Sequence, residues 1–139
     1  MKKYIFFILI IFLSSCTSRL DRKLTGIWSI DIDSLSTDNP LWYNFLDNMF
    51  ILRNDHTASL PAILNLDINY TDGIKWETVN GEVSDSIYFH TQEHPMSGKF
   101  KITFYRDYKE KLFKMRLEND NTVIICRKGL QNFDKKIDW

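Results

Sequence analysis

Few side chains in this sequence are equipped for chemistry, and they are scattered: two cysteines, three histidines and some isolated serines. His90, Glu93 and His94 stand closest together, and zinc accepts His and carboxylate ligands. A four-residue spacing aligns ligands only on a helix, however, and Pro95 and Gly98 mark residues 90–99 as a loop. No metal site is expected there. His56 sits in the polar turn Asn54-Asp55-His56 and reads as solvated. Ser84, Ser86 and Ser97 lack the flanking pattern of an activated nucleophile, and no Gly-rich phosphate loop or Cys-x-x-Cys pair occurs. Cys126 lies in the apolar run Val123-Ile124-Ile125-Cys126 and reads as a small core residue rather than a reactive thiol. No catalytic residue and no cofactor is assigned, and the chain reads as a non-enzymatic binding protein.

Cys16 is different because of what precedes it. Lys2 and Lys3 open the chain, residues 4–13 are an unbroken apolar run, and Ser14 and Ser15 follow. Positive, apolar and small, in that order, is the pattern of an export signal. The run is about half the ~20 residues that a spanning helix needs. Leu13-Ser14-Ser15-Cys16 resembles the lipobox of bacterial lipoproteins, in which cleavage falls before the cysteine and its thiol takes a diacylglyceryl group as a thioether. The resemblance implies a signal peptide over residues 1–15 and a lipid anchor on Cys16 in the envelope of a Gram-negative bacterium. Thr17, in place of the aspartate associated with inner-membrane retention, favours the outer membrane. One acyl chain holds a protein only marginally, whereas two or three hold it stably.

What remains after residue 15 suits one domain. The full chain carries 18 basic and 18 acidic side chains, and loss of Lys2 and Lys3 leaves a slight acidic excess with no basic block. Nucleic acid is therefore excluded as a partner. With Cys16 acylated, Cys126 has no thiol to pair with, and packing must hold the fold.

The polar residues 17–23 read as a tether, so that residues 16–23 form a lipidated linker and residues 24–139 the domain. Trp28, Ile30 and Ile32 alternate with Ser29, Asp31 and Asp33 in a half-buried strand. Asp38 or Asn39 can cap a helix with Pro40 in its first turn, and Trp42, Phe45, Leu46 and Met49 fall on one helical face, predicting a short helix over residues 40–48. Trp42 and Tyr43 would serve either as a lid over a cavity or as a plug closing the core. An apolar helical stripe favours the plug.

From there the pattern is β. Residues 50–53 and 57–60 make a hairpin, and residues 62–70 alternate weakly as a further strand. Residues 74–79 and 82–89 make a hairpin about Asn80-Gly81, whose two residues tolerate positive φ. Residues 100–105, 113–118 and 122–128 complete the set, and Leu130, Phe133, Ile137 and Trp139 leave an apolar trace in the charged tail. Eight or nine short strands at regular spacing predict an antiparallel sandwich or a closed up-and-down barrel.

Gly26-Ile27-Trp28 in the first strand, followed by a helix or loop and then consecutive hairpins, resembles the lipocalin-like barrels of the calycin group. That resemblance implies an up-and-down barrel of about eight strands with one short helix after the first. It implies that Trp28 packs near the closed end and that a basic residue of the last strand lies over its ring, a place that Arg127 would fill. The Thr-Asp-Tyr type motif of typical lipocalins is missing, since Tyr70-Thr71-Asp72 has the letters in another order. Two functions of different class follow. In one, the barrel holds a small hydrophobic ligand against Trp28, Trp76, Phe89, Phe100, Phe104, Phe113 and Met115. In the other, those side chains fill the barrel, and its rims, residues 40–48 and 90–99, bind another envelope protein. Eight strands leave just enough interior for either.

Overall fold

A computed structural model describes residues 18–129 of the chain. Cys16, the export segment and the apolar trace from Leu130 to Trp139 lie outside the described residues. Nine strands form one antiparallel sheet: β1 (Gly26–Ile30), β2 (Ser36–Thr37), β3 (Met49–Leu52), β4 (Thr57–Ser59), β5 (Ile74–Val79), β6 (Ser86–Phe89), β7 (Gly98–Asp107), β8 (Leu112–Glu118) and β9 (Thr122–Lys128). Each strand from β3 to β8 pairs with its successor, β1 pairs with β3, and β9 returns to pair with β1, so eight strands close into an up-and-down barrel. The two residues of β2 only extend the margin of β9, where Thr37 lies opposite Thr122. Closure leaves no long unpaired sheet edge.

Alternation supplies the interior. Successive side chains on a strand point to opposite faces, and the inward set includes Trp28 and Ile30, Phe50 and Leu52, Trp76, Ile87 and Phe89, all buried. Phe100, Met115, Leu117, Ile124 and Cys126 complete it from the last three strands. Polar partners such as Lys75, Glu77 and Arg116 face outward.

Several elements differ from what the sequence pattern predicts. Residues 19–23, assigned to a tether, belong to an α-helix, Arg19–Leu24, capped by Ser18 Oγ accepting from the Asp21 amide at 3.0 Å. Its Leu20 and Leu24 share one face and are buried against the barrel. The first strand ends at Ile30, and Ile32–Ser34 is a 3-10 turn that leaves Ile32 exposed. The helix over residues 40–48 is a 3-10 turn, Pro40–Asn44, with Asn39 Oδ1 accepting from the Leu41 amide. Residues 62–70 are not a strand: one bridge joins Ile63 to Phe45, and Ile68–Tyr70 is another 3-10 turn. Their weak alternation carries no β-branched run on an inward face.

The hairpin of β5 and β6 is present, but its connection is residues 80–85 rather than the two-residue turn. Val79 lies opposite Ser86, and Val83, within the predicted strand 82–89, stands instead in the turn at 97% exposure. Gly81 is needed there because a Cβ would collide with the Ser84 carbonyl.

Candidate functional site

An up-and-down barrel sends its connections alternately to its two ends, and in this chain the ends have opposite character. The first end receives the helix Arg19–Leu24 and the turns 53–56, 80–85 and 108–111. Side chains of the barrel and its turns fasten the helix there. Trp28 Nε1 donates to the Leu24 carbonyl at 2.6 Å, Thr78 Oγ1 donates to Asp21 Oδ1 at 2.8 Å, and His56 Nε2 lies 3.2 Å from Asp21 Oδ2. Burial disfavours the Asp21 carboxylate, but the hydrogen bonds from Thr78, Ser18 and His56 outweigh it and hold the group below the usual carboxylate range. His56, read as solvated from its turn, has φ +61° and lies 4.8 Å from the Trp76 ring, so it joins turn, helix and core.

The cation over Trp28 at this end is Lys128, not Arg127. Trp28 lies opposite Lys128 across β1 and β9, and Ser29 lies opposite Arg127. Directly paired residues share a face, so a shift of one residue moves the side chain to the outside of the barrel. Lys128 Nζ stands 5.3 Å from the Trp28 ring centroid and donates to the Lys23 carbonyl at 2.7 Å. Burial pushes the Lys128 ammonium below its ordinary value. Gly26 has φ +136°, and a Cβ there would press on Lys128 Cε at 3.3 Å, so the Gly and the Trp of Gly26-Ile27-Trp28 serve the same seam. Arg127 is half-buried on the outer face, with its Nε unpaired among the described residues.

Cations are frequent at this end. The helix carries Arg19, Arg22 and Lys23, and the turn 108–111 carries Lys109 and Lys111, with Arg106 and Lys128 at the adjoining strand ends. The acids are Asp21, Asp55, Glu82, Asp85, Asp107 and Glu110. Of these Asp21 is committed to the helix contacts, and Asp107 and Glu110 both bind the buried Lys114, at 2.9 and 2.6 Å. An open cleft of about 740 Å³ runs here between the turn 80–85 and the far part of β7, lined by Lys23, Val83, Asp85, Phe104, Arg106 and Tyr108 among others.

The second end is acidic and apolar. Residues 31–48 carry Asp31, Asp33, Asp38 and Asp47. Residues 60–73 carry Asp67 and also Asp72, which is ion-paired with Arg53 of the turn 53–56 at 3.1 Å, and the two remaining connections carry Glu93 and Asp120. None of these four segments contains Lys or Arg. Trp42 closes this end as a plug, 1% exposed and edge-on to Phe45 with ring centroids 5.0 Å apart. Its Nε1 is buried with no hydrogen-bond partner among the described residues. Residues 44–46 run antiparallel to 62–64, with the Leu46 amide donating to Ala62 O and the Leu64 amide to Asn44 O. Phe45 and Ile63 therefore turn inward, and Leu46 and Leu64 outward. Leu46 is 65% exposed and Tyr43 74% exposed, with Ile32, Leu41 and Leu64 also open to solvent. A groove of about 350 Å³ between Ile32, Tyr43, Phe45 and Leu46 has Asp47 and Asn48 at its edge.

Of the seven side chains assigned to a ligand, Trp28, Trp76, Phe89, Phe100, Phe113 and Met115 are fully buried. All of these but Phe113 belong to one packed cluster. Phe104 alone is partly open, and it lines the cleft at the helix end, 6.4 Å from the Trp28 ring. These buried side chains pack against one another inside the barrel.

The loop of residues 90–97 does not bring His90, Glu93 and His94 together. His90 Nε2 faces Glu77 on β5 at 3.4 Å. His94 is buried, its Nε2–H donating to the Pro61 carbonyl at 2.9 Å and its Nδ1 accepting from the Met96 amide at 3.0 Å. Both ring nitrogens are engaged, and burial lowers its pKa to about 4. The Cys126 thiol is likewise buried, which pushes its pKa up. No described helix is long and apolar enough to cross a membrane.

Fold and site together define a closed β-barrel with an end rich in cations that bears a docked helix and an acidic end that bears exposed apolar side chains. The chain matches no protein-family model, no curated protein and no solved structure.

Proposed function

We propose that this chain is a lipid-anchored, non-enzymatic envelope protein whose barrel is a rigid scaffold that presents its acidic, apolar end to a second protein with a basic face. The observation that carries this reading is the patch of Ile32, Leu41, Tyr43, Leu46 and Leu64 set among carboxylates with no intervening Lys or Arg. Exposed apolar side chains rimmed by charge of one sign suit an interface core with an electrostatically steered rim. The engaged nitrogens of His94 and the buried thiol of Cys126 support a binding rather than a catalytic role. The export signal and Leu13-Ser14-Ser15-Cys16 support the anchor and the outer membrane as its place.

A photo-crosslinking side chain placed at Leu46, and for comparison at Tyr88 on the barrel wall, tests the reading in cells. An identified adduct at Leu46 only, reduced by Asp33→Asn and Asp38→Asn, is expected. No adduct, or one indifferent to those substitutions, overturns the docking role. A second reading, a carrier of a small hydrophobic molecule, draws support from the cleft beside Phe104. Native mass spectrometry of the mature protein decides it, since a stoichiometric bound mass lost on denaturation is expected of a carrier alone.

A further inference from the structure

We infer that the helix end of the barrel lies against an anionic lipid surface, with Arg22, Lys109 and Lys111 at the headgroups and Val83 reaching the interface. Three observations converge. First, the described chain begins at this end: Ser18 caps the helix Arg19–Leu24, and Cys16 stands only two residues earlier. With so short a connection, an acylated Cys16 holds this end and not the acidic one at the bilayer. Second, the tips at this end are adjacent, because Lys23 of the helix, Val83 of the turn 80–85 and Tyr108 of the turn 108–111 line one cleft. Val83 is 97% and Tyr108 71% exposed, an aliphatic and an amphipathic aromatic side chain at one rim. An aromatic ring with a polar tip suits the headgroup level.

Third, the charge is polarised along the barrel axis. At the helix end Lys and Arg outnumber the carboxylates, Glu82 and Asp85 beside Val83 included, and Arg22, Lys109 and Lys111 are exposed, whereas the four connections of the other end hold carboxylates and no Lys or Arg. A negatively charged surface attracts the first end and repels the second, over a range of about 8 Å at physiological salt. The tether and the dipole therefore select the same orientation, and the apolar patch around Leu46 is left pointing away from the lipid.

The inference rests on the proposed lipid anchor for bringing the surface close, so the mature full-length protein is first weighed: acyl groups on Cys16 appear as added mass. A fluorophore is then attached through Val83→Cys and, separately, through Ile68→Cys at the acidic end. Cys126 is buried and does not compete. Quenching by headgroup-labelled lipid is read in vesicles of phosphatidylglycerol with phosphatidylcholine, and of phosphatidylcholine alone. The expected result is quenching at Val83 several-fold stronger in the anionic vesicles, reduced to the phosphatidylcholine level by high salt or by R22Q/K109Q/K111Q, with no quenching at Ile68. Equal quenching at both ends, or no difference between the two vesicles at Val83, overturns it. If the mass shows no acyl groups, the anchor fails independently. The protein is then added from solution, and the triple substitution lowers partition onto anionic vesicles by about a hundredfold, at about fivefold per charge. Absence of such a loss overturns the charge argument.

Discussion

Lys128 and Trp28 face each other across the strands that close the barrel, the ammonium 5.3 Å from the indole centroid. Each also reaches the helix: Lys128 Nζ donates to Lys23 O and Trp28 Nε1 to Leu24 O. The seam of the barrel and the plug of its end are thus one set of contacts. Lys128→Ala removes a partly desolvated cation–π contact and a charged hydrogen bond, for a loss of about 1–2 kcal/mol. Arg127→Ala, on the outer face, is expected to stay within about 0.5 kcal/mol. Urea unfolding of the two variants checks the order, and a larger loss for Arg127 would assign the seam to the wrong residue.

His94 makes stability pH-dependent in a defined window. Its folded pKa is held at about 4 by burial, below the ordinary imidazole value of about 6.5. As pH falls below about 6.5 the unfolded chain takes up a proton that the folded chain refuses, so stability declines until about pH 4. The maximum loss is about 3 kcal/mol. His94→Gln is expected to lose this slope, at the cost of an offset where the Pro61 and Met96 groups are imperfectly met. The measurement is the urea midpoint of both proteins across that range, and an equal slope in the variant would move the proton to another group.

Much of the barrel is legible in the sequence because inward and outward residues alternate. Trp76 and Phe89 face each other in β5 and β6 as the pattern of those strands implies. What fails to show is anything decided by one residue of register or by a distant contact. Lys128 and Arg127 are adjacent basic residues, and only the pairing of Trp28 with Lys128 tells which lies inside. Asp21 and His56 look like solvated polar residues until the helix is docked, although Leu20 and Leu24 at helical spacing are a signal of it. The division of charge between the ends was written in the sequence as acid-only segments alternating along the chain with mixed ones. It acquires meaning only when the topology gathers alternate connections at one end.

The helix contact of Asp21 gives a coupled pair. Asp21 Oδ1 accepts from Thr78 Oγ1 at 2.8 Å, and the carboxyl is held below its usual range. Asp21→Ala and Thr78→Val are expected to cost about 1 kcal/mol or more each, and their double mutant less than the sum, as for groups that bond each other. The Asp21 contribution is present above the unfolded carboxyl value and is lost as pH falls through the lower folded value. Hydrogen exchange of the Thr25 amide, which donates to Asp21 O at 2.9 Å, reports the same loss locally. Additive costs in the double mutant would mean that the two side chains act separately.

Packing of the interior is tested by comparing two phenylalanines of β7. Phe100 is fully buried in the core cluster beside Phe89, whereas Phe104 is partly open in the cleft at the helix end. If the interior is filled, Phe100→Ala leaves a cavity walled by Phe89 and its neighbours and costs about 3–5 kcal/mol. An apolar cavity of that kind stays dry and takes up small apolar molecules, so benzene or xenon should restore part of the lost stability in Phe100→Ala and leave the parent unchanged. Phe104→Ala should cost less, because its ring gives up less buried surface. Should Phe100→Ala instead unfold no more easily than the parent while a co-purifying molecule is lost, the interior would be a ligand chamber lined by that ring. Stabilisation of the parent chain by the same apolar molecules would point the same way, since only a barrel with room inside can bind them.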